Sequence, residues 1–217
     1  IGSGKKVLVE FSSVNIAKPF GVGHLRTTII GAALARVYAK LGYETIRINH
    51  LGDWGTQFGN LIAAYRLWGS EYKFAEQPIM DLYQLYVRYH DAAKNDPALA
   101  DRGREEFRKL EQGEPESQAL WQRFIDYSMI DFHRVYKMLN VEFDYYTGEA
   151  FYRDKMDDVI KQLENKGLLK QSEGATIVDL EPYGLPPCLI KKSDDSTLYA
   201  TRDLAALLYR KQHFNFD

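Results

Sequence analysis

Residues 6–49 read KVLVEFSSVNIAKPFGVGHLRTTIIGAALARVYAKLGYETIRIN, and the succession of patterns in this stretch decides the fold. Lys6–Phe11 is apolar and β-branched, as a buried strand requires. Ser12–Phe20 breaks that pattern with Ser12, Ser13, Asn15 and Pro19, and the proline holds Lys18 extended. From His24 the period turns helical. Leu25, Ile29, Ala33, Val37 and Leu41 recur at every fourth position, and Ile30, Leu34 and Tyr38 widen the stripe into a predicted core face. Gly42 stands where a C-terminal helix cap belongs. Glu44–Asn49 then reads as a second strand, so the whole is a βαβ unit with a right-handed crossover.

Outward from this unit, residues 56–140 carry almost no strand signal. Helical stripes run through Phe58–Leu67, Ile79–Tyr89 and Phe107–Leu110, and a longer one from Trp121 to Leu139. Pro115 fits the first turn of that last helix, which is predicted to start near Glu114. Gly69, Pro78 and Asn95–Pro97 divide the region. Beyond it, Phe151–Lys166 reads as one amphipathic helix stopped by Gly167. Short strands are predicted at Ala175–Leu180, Cys188–Lys192 and Thr197–Ala200, with turns at Pro182–Pro187 and Ser193–Asp195. A final helix is predicted over Arg202–Gln212, with Thr201 as N-cap.

Composition removes several classes. With 11 Phe, 15 Tyr and 3 Trp in 217 residues, the chain carries too many aromatics for a disordered protein. It has no apolar run of the roughly 18 residues that a spanning helix needs, and no secretory leader pattern. A net charge of −2 gives no field that would by itself recruit nucleic acid. Cys188 is alone, which excludes a disulfide framework or cysteine-rich zinc site within the chain and makes the cytoplasm the expected location. The start at Ile1 and the stop just past Phe216 suggest an excised piece of a longer protein.

The chemistry concentrates after the first strand, where a βαβ fold binds its ligands. Lys18-Pro-Phe-Gly-Val-Gly-His24 places Gly21 and Gly23 for close backbone approach, at a helix start that favours anions. Arg26 stands where a dinucleotide fingerprint needs its third glycine, and no GxxxxGK[ST] loop exists. The cluster suits a nucleoside triphosphate attacked at its α-phosphorus, with His24 and nearby cations stabilising the charge that gathers there. Its bland alternative is a tight turn with a solvated histidine. Gly52-Asp53-Trp54-Gly55 after the second strand reads either as a buried Trp with Asp53 capping the next helix, or as ligand contact. His50, His90, His133 and His213 show neither HExxH spacing nor a cluster, so no metal site is expected; His90 and His133 are expected to be partly buried scaffold. The aromatic stripe of the helical region is expected to be core, and Lys166–Lys170 and Lys191–Lys192 a solvated face or contacts to acceptor phosphates.

EFSSVNIAKPFGVGHLRTTIIG followed by NHLGDWGTQFG resembles the signature loop of class I aminoacyl-tRNA synthetases in its arginyl form, and KKSDDSTLYATRDLAA resembles that family's second signature with its Y-x-T-R-D core. The similarity is dense over about residues 7–60 and 174–207 and thin through the helical middle. Val14 replaces the family's usual proline, and Gly21 replaces the first histidine of its His-x-Gly-His element. The resemblance covers only the first half of a catalytic domain. It implies an α/β, Rossmann-like (HUP-type) parallel sheet core over about 5–70 and 141–217, a helical insertion over about 71–140, and a small β-rich connective segment, together an incomplete domain.

A site selective for a guanidinium needs carboxylates in a fork and a flat face. Glu10 lies near the end of the first strand, where an apolar residue is usual, and Tyr199 and Asp203 flank the predicted strand-to-helix turn. The resemblance assigns Asp203 and Tyr199 to the arginine side chain, and Glu10, Ser13 and Asn15 to its amino and carboxylate ends. It assigns Lys18 and His24, with Gly21 and Gly23, to the ATP phosphates. Glu10 also reads as an edge carboxylate in solvent, and Asp203 as a first-turn acid favoured by the helix dipole. The resemblance further implies L-arginine, ATP with Mg2+ as substrate and tRNA(Arg) as ligands, no tightly bound cofactor, no membrane, and a monomeric intact protein. Two other readings stay open: another class I synthetase or nucleotidyltransferase, and a non-catalytic binding paralogue or truncated form.

Overall fold

The predicted βαβ unit forms from β1 (Lys6–Glu10), α1 (Val22–Lys40) and β2 (Glu44–Asn49) in a computed structural model that describes residues 1–193 and 199–217. The described residues divide into two units. One comprises Ile1–Ser3 and Leu8–Gly148; the other comprises Gly4–Val7 and Glu149–Asp217.

In the first unit a short strand missed by periodicity, β3 (Tyr145–Tyr146), completes a sheet of order β1-β2-β3. It pairs with β2 in parallel, Ile48 opposite Tyr145 and Asn49 opposite Tyr146. The stripe predicted to bury α1 does not do so. Ile29, Ile30, Leu34 and Val37 are about half exposed, and the buried face is Thr28, Gly31, Ala32 and Ala35. The cause is steric. A Cβ at Gly31 would overlap the Phe11 side chain, so the helix lies too close to the strand for anything but small residues. Gly42 does follow the helix in a left-handed conformation, φ 90°.

The helical region has four helices: α2 (Thr56–Trp68), α3 (Pro78–Ala93), α4 (Pro97–Glu111) and α5 (Pro115–Leu139). The last three each open on a proline, whose missing N–H costs nothing in a first turn. The Glu114 carboxylate caps α5 by accepting from the Ser117 amide at 2.7 Å. Phe58, Leu61, Leu82, Leu85, Tyr89, Leu110 and Phe124 are almost wholly buried, as expected of a core. Each contributes roughly 1.5–3 kcal/mol through its removal from water. Asp53 does not cap α2. Gly55, at φ 136°, holds the N-cap position, while the Asp53 carbonyl accepts from the Trp121 indole at 2.7 Å. His90 and His133 are exposed rather than partly buried; they stack on Tyr86 and meet Tyr146 edge-on, respectively.

In the second unit the segment predicted as one helix opens as a 3₁₀ run, Glu149–Lys155, before α6 (Met156–Asn165). Tyr152 lies in that run, its ring fully buried with Val159, Ala205 and Ala206. An antiparallel sheet follows, ordered β4 (Leu169–Ser172), β5 (Ala175–Val178) and β6 (Cys188–Lys191). The turn and strand predicted across 193–200 lie largely outside the described residues; Tyr199 and Ala200 are helical. They open α7 (Tyr199–Phe214), so Thr201 lies within the helix and is not its N-cap. Its buried hydroxyl donates to the Ile190 carbonyl at 2.7 Å. No helix among the described residues is long and apolar enough to cross a membrane.

Candidate active site

The loop Ser12–Phe20 leaves β1 with its side chains sorted by direction. Ser12, Val14, Ile16 and Ala17 are buried, whereas Glu10, Ser13, Asn15 and Lys18 are exposed. Three non-glycine residues, Ser12 (φ 70°), Ser13 (φ 50°) and Ala17 (φ 60°), adopt the left-handed conformation to achieve this. Each costs on the order of 1–3 kcal/mol, so the surroundings must over-determine the loop.

Two sets of contacts do so. The first is a short parallel bridge between Asn15 and Gly52, in which the Ile16 amide donates to the Gly52 carbonyl at 3.1 Å and the Gly52 amide to the Val14 carbonyl at 2.9 Å. A side chain at Gly52 would overlap the Asn15 amide. The second is a buried polar network around Ser12. Its hydroxyl lies 2.8 Å from the Tyr136 hydroxyl and 2.8 Å from that of Thr28, which also reaches the His24 carbonyl at 2.6 Å. The Asn49 amide donates to Tyr136 at 2.9 Å, and its carbonyl accepts from the Ser13 amide at 3.1 Å. None of Ser12, Thr28, Asn49 or Tyr136 is more than 3% exposed, so the bonds that these four side chains make with one another are made away from water.

At the start of α1, Nδ1 of His24 accepts from the Gly21 amide at 3.1 Å, which leaves the outer ring nitrogen to carry the proton. Burial, and then the Lys18 charge, push the His24 pKa below the ordinary histidine value. The imidazole is therefore a neutral donor at pH 7. A Cβ at Gly21 or Gly23 would meet open space. Gly21 is extended, with φ −99°, so no backbone requirement fixes glycine there. Lys18 lies 5.9 Å from the Tyr86 ring centre. Glu10 and Ser13 meet, the hydroxyl donating to the carboxylate at 3.4 Å.

In the second unit Tyr199 and Asp203 are exposed and one turn apart on α7, hence on one helix face. The structure places no acid in the first turn of α7, so Asp203 is not the dipole-favoured first-turn residue that the sequence allowed. Arg202 pairs with Glu149 at 3.3 Å. Glu149 nevertheless has a raised pKa, chiefly from burial, and the charge of Asp203 adds to it. Among the described residues no three His, Cys, Asp or Glu side chains group as a metal site requires. Sequence reasoning named the exposed half of the loop and missed what holds it. Asn49, polar at a buried strand end, and Tyr136, inside an apolar stripe, were the available signals.

The family described as tRNA synthetases class I (R), catalytic domain, matches residues 1–217. An arginine–tRNA ligase of Streptococcus suis is 57% identical over 216 residues, covering all of this chain and 38% of its own length. One from Clostridium perfringens is 55% identical over 217 residues, again covering 38% of its length. Among solved structures, an arginyl-tRNA synthetase of Plasmodium falciparum superposes with a TM-score of 0.82 at 32% identity, over 99% of this chain and 36% of that one. The Thermus thermophilus arginyl-tRNA synthetase gives 0.76 at 26% identity, over 96% and 36%. The chain thus spans a little over a third of the length of the relatives it matches, as a partial α/β domain. On the βαβ unit, the loop that follows its first strand and the match along all 217 residues, the chain belongs to the arginyl class I tRNA synthetase family.

Proposed function

We propose that the full-length protein containing these residues joins L-arginine to tRNA(Arg) at the expense of ATP, through arginyl-adenylate and pyrophosphate. The observation that carries this reading is the outward set Glu10, Ser13, Asn15 and Lys18 on an over-determined loop, followed by a neutral His24 at a helix start. Glu10, Ser13 and Asn15 hold the amino and carboxylate ends of arginine; Tyr199 and Asp203 take its guanidinium by stacking and by a charge-assisted hydrogen bond. Lys18 and the imidazole N–H of His24 stabilise the charge that accumulates on the phosphates as the arginine carboxylate attacks the α-phosphorus and pyrophosphate leaves. Gly21 and Gly23 keep the approach to the helix start open for the triphosphate. Mg2+ enters with ATP as part of the substrate. Positioning and electrostatics suffice, because in-line attack at phosphorus asks for little covalent help.

The same reading makes residues about 71–140 a helical insertion on a Rossmann-like core of about 5–70 and 141–217. It gives the intact protein a monomeric state, a cytoplasmic location and no resident cofactor. The test is arginine-dependent exchange of pyrophosphate into ATP by the full-length protein with tRNA(Arg), with L-citrulline as the neutral, nearly isosteric control. Exchange with arginine alone, lost in Asp203→Asn, is the expected result. Exchange with another amino acid overturns the substrate, and arginine binding without exchange points to a non-catalytic relative.

A further inference from the structure

The helix α5 meets the Ser12–Phe20 loop at three points that lie four residues apart along its own sequence. The hydroxyl of Ser128 accepts from the Ala17 amide at 2.9 Å. Phe132 and Tyr136 enclose the Phe20 ring, with centroids at 6.5 and 6.0 Å. Tyr136 also reaches Ser12. Positions 128, 132 and 136 form one face of a helix, so a single stripe meets both ends of the loop, Ser12 and Phe20, through Tyr136 and meets Ala17 between them through Ser128. The polar contacts fall on two of the three left-handed residues, Ser12 and Ala17. The third, Ser13, is reached through Asn49, itself bonded to Tyr136. The far end of the stripe is tied to the candidate histidine, since Phe20 lies 5.6 Å from the His24 ring and Ser12 connects through Thr28 to the His24 carbonyl.

We propose that Ser128, Phe132 and Tyr136 are positioning residues: the stripe is a template on α5 that forces the loop into its left-handed shape and thereby aligns Ser13, Asn15, Lys18 and His24. The proposal rests on the reading of these residues as the arginine and ATP site. It adds that the helical region, through one face of α5, sets the efficiency of a reaction whose atoms it never touches. The Tyr136 hydroxyl joins two buried groups that belong to different segments, so its removal loosens the loop while leaving the ring packing in place.

The experiment compares Tyr136→Phe with Tyr89→Phe in the full-length protein. Tyr89 is an equally buried tyrosine whose hydroxyl donates to the Leu99 carbonyl within the helical region. Two readouts are taken: arginine-dependent pyrophosphate exchange, and amide hydrogen exchange at Ser13–Lys18. Tyr136→Phe is expected to lower kcat/KM for arginine on the order of 100-fold and to speed amide exchange in the loop, with KM for tRNA unchanged. Tyr89→Phe is expected to change neither. Should Tyr136→Phe fail to fold, Ser128→Ala makes the same comparison through the Ala17 amide. Unchanged loop exchange together with unchanged arginine kinetics overturns the template. Faster loop exchange in a protein whose parent shows no arginine-dependent activity supports the template and refutes the functional reading instead.

Discussion

The Ser12–Phe20 loop and the α2–α5 helices lie in one unit of the molecule and are held by opposite means. The helices bury Phe58, Leu61, Leu82, Leu85 and Phe124, side chains whose contribution is additive, non-directional and spread over many neighbours. The loop buries hydroxyls and amides, from Ser12, Thr28, Asn49, Ser128 and Tyr136, each contributing only when its partner is in place. The first kind of interior tolerates adjustment and specifies a fold. The second specifies a backbone path, at the expense of being exacting. A site that must hold three left-handed residues has use for the second kind.

Substitutions can break this contrast from either side. Phe124→Ala empties the centre of the helical core and is expected to cost about 3–5 kcal/mol in urea unfolding, the largest effect of the series. If the comparison holds, the fraction that remains folded keeps its arginine KM. Ser128→Ala removes only an oxygen, yet strands the buried Ala17 amide, and is expected to cost about 1–3 kcal/mol by the same measurement. In contrast with Phe124→Ala, its loss should extend to arginine kinetics. A fall in stability with no kinetic change would make the loop an ordinary piece of core.

The smallest effect is a pH dependence. Burial is the larger cause of the lowered His24 pKa and the Lys18 charge the smaller, so Lys18→Met should raise the pKa part of the way back when the imidazole is followed by NMR. The sign for stability follows. The folded His24 binds its proton less readily than the unfolded one, so the unfolded chain takes up the proton first as pH falls through the ordinary histidine range near ~6.5. Stability therefore declines on the acid side of that range, and less steeply in Lys18→Met. An unmoved imidazole titration would show that Lys18 and His24 do not feel one another.

What was readable in advance divides along the same line. Apolar periodicity located stripes in α2, α3, α4 and α5, and Pro115 marked the start of α5, because helix entry is a local matter; Pro78 and Pro97, read only as breaks, also open helices. Periodicity also drew a stripe on α1 but assigned it the wrong face. A stripe reports apolar area, whereas the close approach of Gly31 to Phe11 is a fact about distance between elements. The part of the 3₁₀ run from Phe151 to Lys155 read as α-helix for a like reason: Tyr152 is buried with Val159, Ala205 and Ala206, and most of that cluster lies far along the chain. Glu10, Ser13, Asn15, Lys18 and His24 were nameable because they sit in one continuous segment. Tyr136 shows locally only as a hydroxyl inside an apolar stripe; that it serves Ser12, 124 residues away, is not recorded nearby in the sequence.

The exposed side of α1 has a bearing on how the molecule behaves in a tube. Val22, Ile29, Ile30, Leu34 and Val37, each between 45 and 84% accessible, run along one 19-residue helix. Such a ribbon of hydrocarbon is a colloidal property as much as a structural one. Solutions of these 217 residues handled alone should grow turbid with sulfate and warmth, since both strengthen apolar association. Because the ribbon shares no residue with the buried face of Thr28, Gly31, Ala32 and Ala35, solubility and fold are separable on this helix. Charged residues at positions 34 and 37 would change the first and leave the second alone.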